Sequence, residues 1–131
     1  MKVADVMTRH VFAVAASATA FQAAVLMAHN RVGSVVAIKG HRLMGLIADR
    51  DLVTEVVAKG RDPATTSVQE LLKELRPGHD QWPMARPEMD TLDAARLMAE
   101  HKVRRLPVVA NDEVVGIVSI ADLAGELDQF L

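Results

Sequence analysis

The sequence predicts an α/β fold of the α+β kind: two tandem β-α-β-β-α repeats packed with pseudo-twofold symmetry into one compact module. Three observations predict it. The first is an internal repeat at a spacing of 71 residues. Ala23-Ala24-x-Leu26-Met27-Ala28 returns as Ala94-Ala95-x-Leu97-Met98-Ala99, Val32 as Val103, Gly45 as Gly116, Asp51-Leu52 as Asp122-Leu123 and Glu55 as Glu126. Residues 23–55 and 94–126 share ten identities in 33 positions without a gap, which marks two copies of one supersecondary unit. The second is the same succession of extended and helical patterning in each copy. The third is size: 131 residues hold one real core but not two independent ones. Neither copy can then bury its apolar faces alone.

In each repeat a short extended stretch, residues 11–14 and 82–85, leads into a helix. Thr19 is placed to cap a helix over 20–30, and Asp90 or Thr91 one over 92–101. Ala24, Met27 and Ala28, with Ala95, Met98 and Ala99, recur at helical spacing and predict the buried stripe. Two pairs of strands follow. Residues 34–38 and 43–47 flank Lys39-Gly40-His41, and residues 106–109 and 114–118 flank Asn111-Asp112. Residues 51–58 and 122–127 read as closing helices, with Asp51 and Asp122 at or near the first turn. A short helix over 68–75 follows the linker Gly60–Thr66, and the stretch 77–87, with three prolines and one glycine, reads as irregular. The linear division is residues 1–62 for the first repeat and 63–131 for the second.

Composition removes several function classes. Half of the residues are hydrophobic, yet only Phe12, Phe21, Trp82 and Phe130 are aromatic, so stacking platforms for single-stranded nucleic acid are not expected. A net charge of −2 gives no electrostatic footprint for DNA or an anionic membrane. The absence of cysteine removes disulfides, thiolate nucleophiles and Cys-based zinc sites. His10, His29, His41, His79 and His101 are scattered without the i, i+4 pairing of a helical zinc site, so no metal is expected. No nucleophile–base–orienter set or P-loop is visible, and catalysis is not expected. With no apolar signal core at the start of the chain, a reducing cytoplasm is the expected location.

The chemistry concentrates where the last strand of each repeat enters its last helix. Repeat 2 reads Gly116-Ile117-Val118-Ser119-Ile120-Ala121-Asp122-Leu123. The glycine permits a close approach, and the hydroxyl emerges at the strand end. A carboxylate follows three residues later, where free N–H groups and the helix dipole suit a phosphate. An ionised carboxylate there can accept two hydrogen bonds from a vicinal diol such as a ribose. The same aspartates also fit as helix N-caps with no ligand, and Ser119 fits as a partner for a backbone group. Arg104 and Arg105 fit a solvated face, a pairing with Asp49 or Glu100, or a phosphate. Val32, Gly33 and Val103 fit as packing residues.

The strand–helix signature Gly-h-h-Ser/Thr-x-x-Asp (h apolar), Arg105-Leu106-Pro107-Val108-Val109 and the opening Asp5-Val6-Met7-Thr8-Arg9 together resemble a CBS-domain pair, a tandem of cystathionine-β-synthase motifs (Bateman module). The layout is similar to small stand-alone bacterial CBS-pair proteins of the hypoxic-response type. The resemblance covers the whole chain and implies a regulatory module binding an adenosine-containing ligand, AMP, ADP, ATP or S-adenosylmethionine, in a cleft between the repeats. It implies one site with Ser119, Asp122 and Ile117 plus Phe12, Val32, Gly33 and Ser34. It implies a second with Asp51 and Leu46 plus Pro83, Val103, Arg104 and Arg105. Repeat 1 carries Ala48 where repeat 2 carries Ser119. A lost charge-assisted bond of that kind costs about 1.5–3 kcal/mol. Lys102, Arg104 and Arg105 offer cations in its place, so the first site is expected to keep the adenosine pattern better.

A homodimer, paired into a disc, is what the resemblance implies for assembly, with no required cofactor. Two other readings stand beside it: a ligand-free dimerisation or interaction module, and the regulatory fragment of a larger enzyme or transporter. The expectation is a stand-alone protein.

Overall fold

The bulged hairpin is the element each repeat is built around. The computed structural model describes residues 1–79 and 81–128. In repeat 1, β1 (Ala13–Ala15), α2 (Ala20–Asn30), β2 (Ser34–Lys39) and β3 (Arg42–Ala48) follow α1 (Val3–Val6), and α3 (Asp49–Leu52) closes the repeat through a π-helical stretch at Val53–Val57. Then come α4 (Val68–Leu75), α5 (Thr91–His101), β4 (Arg105–Ala110), β5 (Glu113–Ser119) and α6 (Ile120–Asp128).

β1 runs parallel to β2, and β2 pairs antiparallel with β3. β4 pairs antiparallel with β5. Both hairpins shift register at equivalent places, between Ala37 and Ile38 and between Val108 and Val109. Such a bulge leaves one extra residue on the partner strand and bends it. In place of a strand over 82–85 there is a single parallel bridge, Ala85 to Val108. Pro83 and Pro87 carry no N–H for a ladder, so pairing stops at Ala85, whose N–H donates to Pro107 O (2.9 Å).

The two long helices use matching ends. Thr19 accepts from the N–H of Gln22, whose side chain accepts from the N–H of Thr19, a complete capping box. Asp90 Oδ1 accepts from Leu92 N–H. Arg31 and Lys102 terminate α2 and α5 at φ 54° and 56°, and Val32 and Val103 N–H groups then reach back to Met27 O and Met98 O. The buried stripe is rotated from the one predicted. Ala20, Ala23 and Met27, with Thr91, Ala94 and Met98, are buried, while Ala28 and Ala99 are exposed.

Contacts divide the chain into two compact units: Phe12–Trp82, and Met1–Val11 together with Pro83–Leu131. These boundaries differ from the linear division at residues 62 and 63, because two connecting segments bury their apolar faces in the other repeat's core. Val68, Leu71 and Leu72 of α4 join Ala23, Met27, Val35 and Ile47. Val3 joins Ala94, Met98, Leu106 and Val118. Full burial of each such side chain stabilises by about 1.5–3 kcal/mol.

The candidate ligand-binding ends

In each unit the starts of the parallel strands and the end of the last strand converge. In the unit Phe12–Trp82, Val36 N–H donates to Phe12 O (2.9 Å), Asp49 N–H donates to Gly33 O (2.9 Å), and Ser34 sits opposite Ala48. Phe12, Val32, Gly33, Ser34 and Asp51 therefore lie at one end of that sheet, with Leu46 two residues inside it. In the other unit Arg105 sits opposite Ser119 and Ile120 N–H donates to Arg104 O (2.9 Å). Val103, Arg104, Arg105, Ser119 and Asp122 share that end, and Pro83 precedes the bridge residue Ala85 on the same side. Each unit thus presents residues from both predicted sites.

Ser119 and Asp122 form a closed pair. Ser119 N–H donates to Asp122 Oδ2 (2.8 Å), and Asp122 N–H donates to Ser119 Oγ (3.1 Å). The expected N-cap is therefore shifted: Ser119 occupies the cap position, and Asp122 reaches back from the third helical residue. In repeat 1 only half of this exists. Ala48 N–H donates to Asp51 Oδ2 (2.8 Å), and Ala48 has no oxygen to accept from the N–H of Asp51.

Ile117 and Leu46 are buried. Ile117 also has its backbone taken up, since Thr8 N–H donates to Ile117 O (2.8 Å) and Ile117 N–H donates to Thr8 O (2.9 Å). What Ile117 can offer a ligand is apolar surface. Phe12 and Val32 pack on one core and Val103 on the other, so each has a packing role whatever else it does. Ser34 is buried. Gly33 has no positive φ, so no left-handed turn requires it. Arg104 is exposed and Arg105 half-buried. Among the described residues neither is in an ion pair, and Glu100 lies instead against His101 at 4.0 Å.

The two signature glycines do what sequence reasoning assigned to one. A Cβ on Gly45 would lie 2.6 Å from Trp82 Cε3, and one on Gly116 would lie 2.6 Å from Met7 Sδ and 2.9 Å from Thr8 O. Each lets the chain segment that leads into a repeat lie flat on a hairpin. Trp82 packs within its own unit, under the Arg76 guanidinium at 5.3 Å. The signal that would have found this is the register of Gly45 at the bulge.

Two copies of one hairpin-to-helix end, each with an aspartate folded back on the strand terminus, define a tandem-repeat module. The chain belongs to the CBS domain family, whose model matches residues 3–58 and 79–129. It is 38% identical over 122 residues to the CBS domain-containing protein YhcV of Bacillus subtilis, covering 93% of this chain and 82% of that protein. The fold matches the hexameric CBS-CP12 protein from bloom-forming cyanobacteria with TM-score 0.84 and 26% identity, over 99% of this chain and 73% of that one. It matches Hypoxic Response Protein I, solved with two coordinated zinc ions, with TM-score 0.73 and 30% identity over 96% and 98% of the two chains; the Mycobacterium tuberculosis protein of that name is 32% identical over 126 residues, 95% of this chain and 84% of that protein. No helix among the described residues is long and apolar enough to cross a membrane.

Proposed function

We propose that this chain is a regulatory CBS-pair protein that binds an adenosine-containing ligand, AMP, ADP, ATP or S-adenosylmethionine, without chemical turnover. The Ser119–Asp122 pair carries the reading. Ser119 Oγ accepts from Asp122 N–H, which leaves its own hydroxyl proton to donate to a phosphate. Asp122 engages Oδ2 with the strand terminus, which orients the carboxylate, and its other oxygen suits a ribose diol. Phe12, Val32, Gly33 and Ser34 belong to the same site in the family pattern. Asp51, Leu46, Pro83, Val103, Arg104 and Arg105 form the second, where arginine replaces the missing hydroxyl at Ala48. Binding alters a protein's state only if the ligand prefers one arrangement over another.

Isothermal titration tests this. Heat with at least one of the four ligands, abolished in Asp122→Ala and little changed in Asp51→Ala, supports both the ligand class and the ranking of the sites. No heat with any of them at millimolar concentration overturns it in favour of an interaction module.

A second copy of the chain is the proposed partner. Phe21 and Val25 on α2 and Val53 and Val57 on the π-helical stretch are all about half exposed or more, up to 70% at Val57, and the CBS-CP12 relative is hexameric. Light scattering that returns only monomer sinks the homodimer. The zinc of Hypoxic Response Protein I is not carried over. This chain has no cysteine, and no group of three His, Asp or Glu suited to a metal ion occurs among the described residues.

A further inference from the structure

We infer that this chain pairs with a second copy of itself through repeat 1 alone, repeat 1 against repeat 1, across an uncharged face carried by α2 and the π-helical stretch Val53–Val57. The inference rests on the homodimer reading above and adds which surface closes the pair.

Helical spacing builds the face. Phe21 and Val25 stand one turn apart on α2, and Ala28 continues their row, exposed like them. Val53 and Val57 stand four residues apart on the π-helical stretch, while Val56 between them is buried. α2 lies against α3, which runs without a break into that stretch. Four large apolar side chains, about half exposed or more, thus stand on two neighbouring helical segments. A single exposed apolar residue is ordinary, whereas a cluster of them marks a contact surface.

The internal repeat supplies the control. At the spacing of 71 residues the same four places hold Leu92, Arg96, Ala124 and Asp128. Repeat 2 therefore keeps one large apolar side chain where repeat 1 has four. The helices differ in charge as well. Ala20–Asn30 contains no Asp, Glu, Lys or Arg, whereas Thr91–His101 contains Asp93, Arg96 and Glu100. Both helices bury equivalent positions, Ala20, Ala23 and Met27 against Thr91, Ala94 and Met98. The fold itself does not call for the apolar outer row of α2.

Charge selects the occupant. A two-fold contact sets a face against the same face, so net charge at its centre would meet its like. α2 brings no fixed charge, and Glu55, the single ionisable residue of Val53–Val57, is held by Lys59 at 3.1 Å. Such a face offers nothing to steer an acidic or basic partner. Nor does α2 carry the lysines and arginines with which an amphipathic helix lies on a membrane. A second copy fits it.

Sedimentation velocity over a range of concentrations tests this on the full chain. The wild type is expected to show a monomer–dimer equilibrium. Val25→Arg and Val57→Asp each place the repeat 2 residue at the equivalent position of repeat 1. Each should raise the dimer dissociation constant roughly tenfold to a hundredfold by burying a charge in the contact. Leu92→Ser should leave it within about twofold. Val25 and Val57 face solvent in the single chain, so both variants keep the fold, and unchanged circular dichroism checks it. A dimer that survives both repeat 1 substitutions, or one dissolved by Leu92→Ser, overturns the repeat 1 face and leaves the homodimer reading standing. A wild type that stays monomeric overturns both and leaves the face to a different protein.

Discussion

The six-membered ring of Trp82 lies where a Cβ of Gly45 would be, at 2.6 Å. Gly45 sits beside the β-bulge at φ 154°, a backbone setting side chains rarely adopt. The signature glycine of repeat 1 is thus a docking surface for the connecting segment, fixed by sterics from both sides. Gly45→Ala should destabilise the protein by about 1–3 kcal/mol through overpacking and shift Trp82 emission. Chemical denaturation with fluorescence detection checks both, and an unchanged midpoint contradicts the contact.

The caps of α3 and α6 differ by one oxygen. Ser119→Ala should cost about 0.5–2 kcal/mol with no ligand present, because the Asp122 N–H loses its acceptor. Ala48→Ser should stabilise by about 1 kcal/mol by completing the box that Asp51 already half forms. Thermal unfolding of the two variants should move in opposite directions. Equal loss in both would contradict the geometry.

Leu71 lies beyond residue 62 in sequence but in the core of the first repeat. Leu71→Ala should destabilise by about 2–5 kcal/mol. Hydrogen exchange should rise first in β2 and β3, with β4 and β5 following. Prior loss of protection in Arg105–Ala110 would place α4 in the other unit.

Acid should weaken the tie between the linker and α4. The Arg61 hydrogen bond and charge hold the Glu74 carboxyl below its usual range, and Glu74 in turn raises Arg61. A carboxylate with a lowered folded value adds stability above its unfolded value and loses it as the pH falls through the folded one. Arg61 stays charged throughout. Arg61→Ala should therefore flatten stability against pH on the acid side of the carboxylate range and leave the neutral-to-basic slope unchanged. A series of denaturant midpoints across that range decides it.

Much of the fold was legible because its local rules agree. Thr19 caps α2 as read, and Gln22 completes a capping box with it, α4 spans residues 68–75 as read, and Asn111-Asp112 turns with both residues at positive φ. Reading failed where tertiary contact overrides local pattern. The apolar stripe of α2 centres on Ala20, Ala23 and Met27 because the sheet lies on that side, and small residues such as Ala28 carry too little hydrophobic weight to fix a phase. The helix read over residues 51–58 changes to π geometry at Val53. There the Thr54 hydroxyl donates to Arg50 O (3.0 Å), a side-chain bond of the kind that bends helices.

The sequence by itself determined that there are two repeats, where the two hairpins, their turns and the caps of α2 and α5 fall, and that Ser119 and Ala48 make the two ends unequal. Those features depend on residues close in the chain, whose spacing encodes their contacts. Only the tertiary structure decided that α4 and Trp82 complete the first unit and that Val3 and Thr8 complete the second. Burial drives the exchange of segments, since each hairpin leaves an apolar face and a glycine gap that a distant part of the chain fills. Sequence spacing carries no record of which segment that will be.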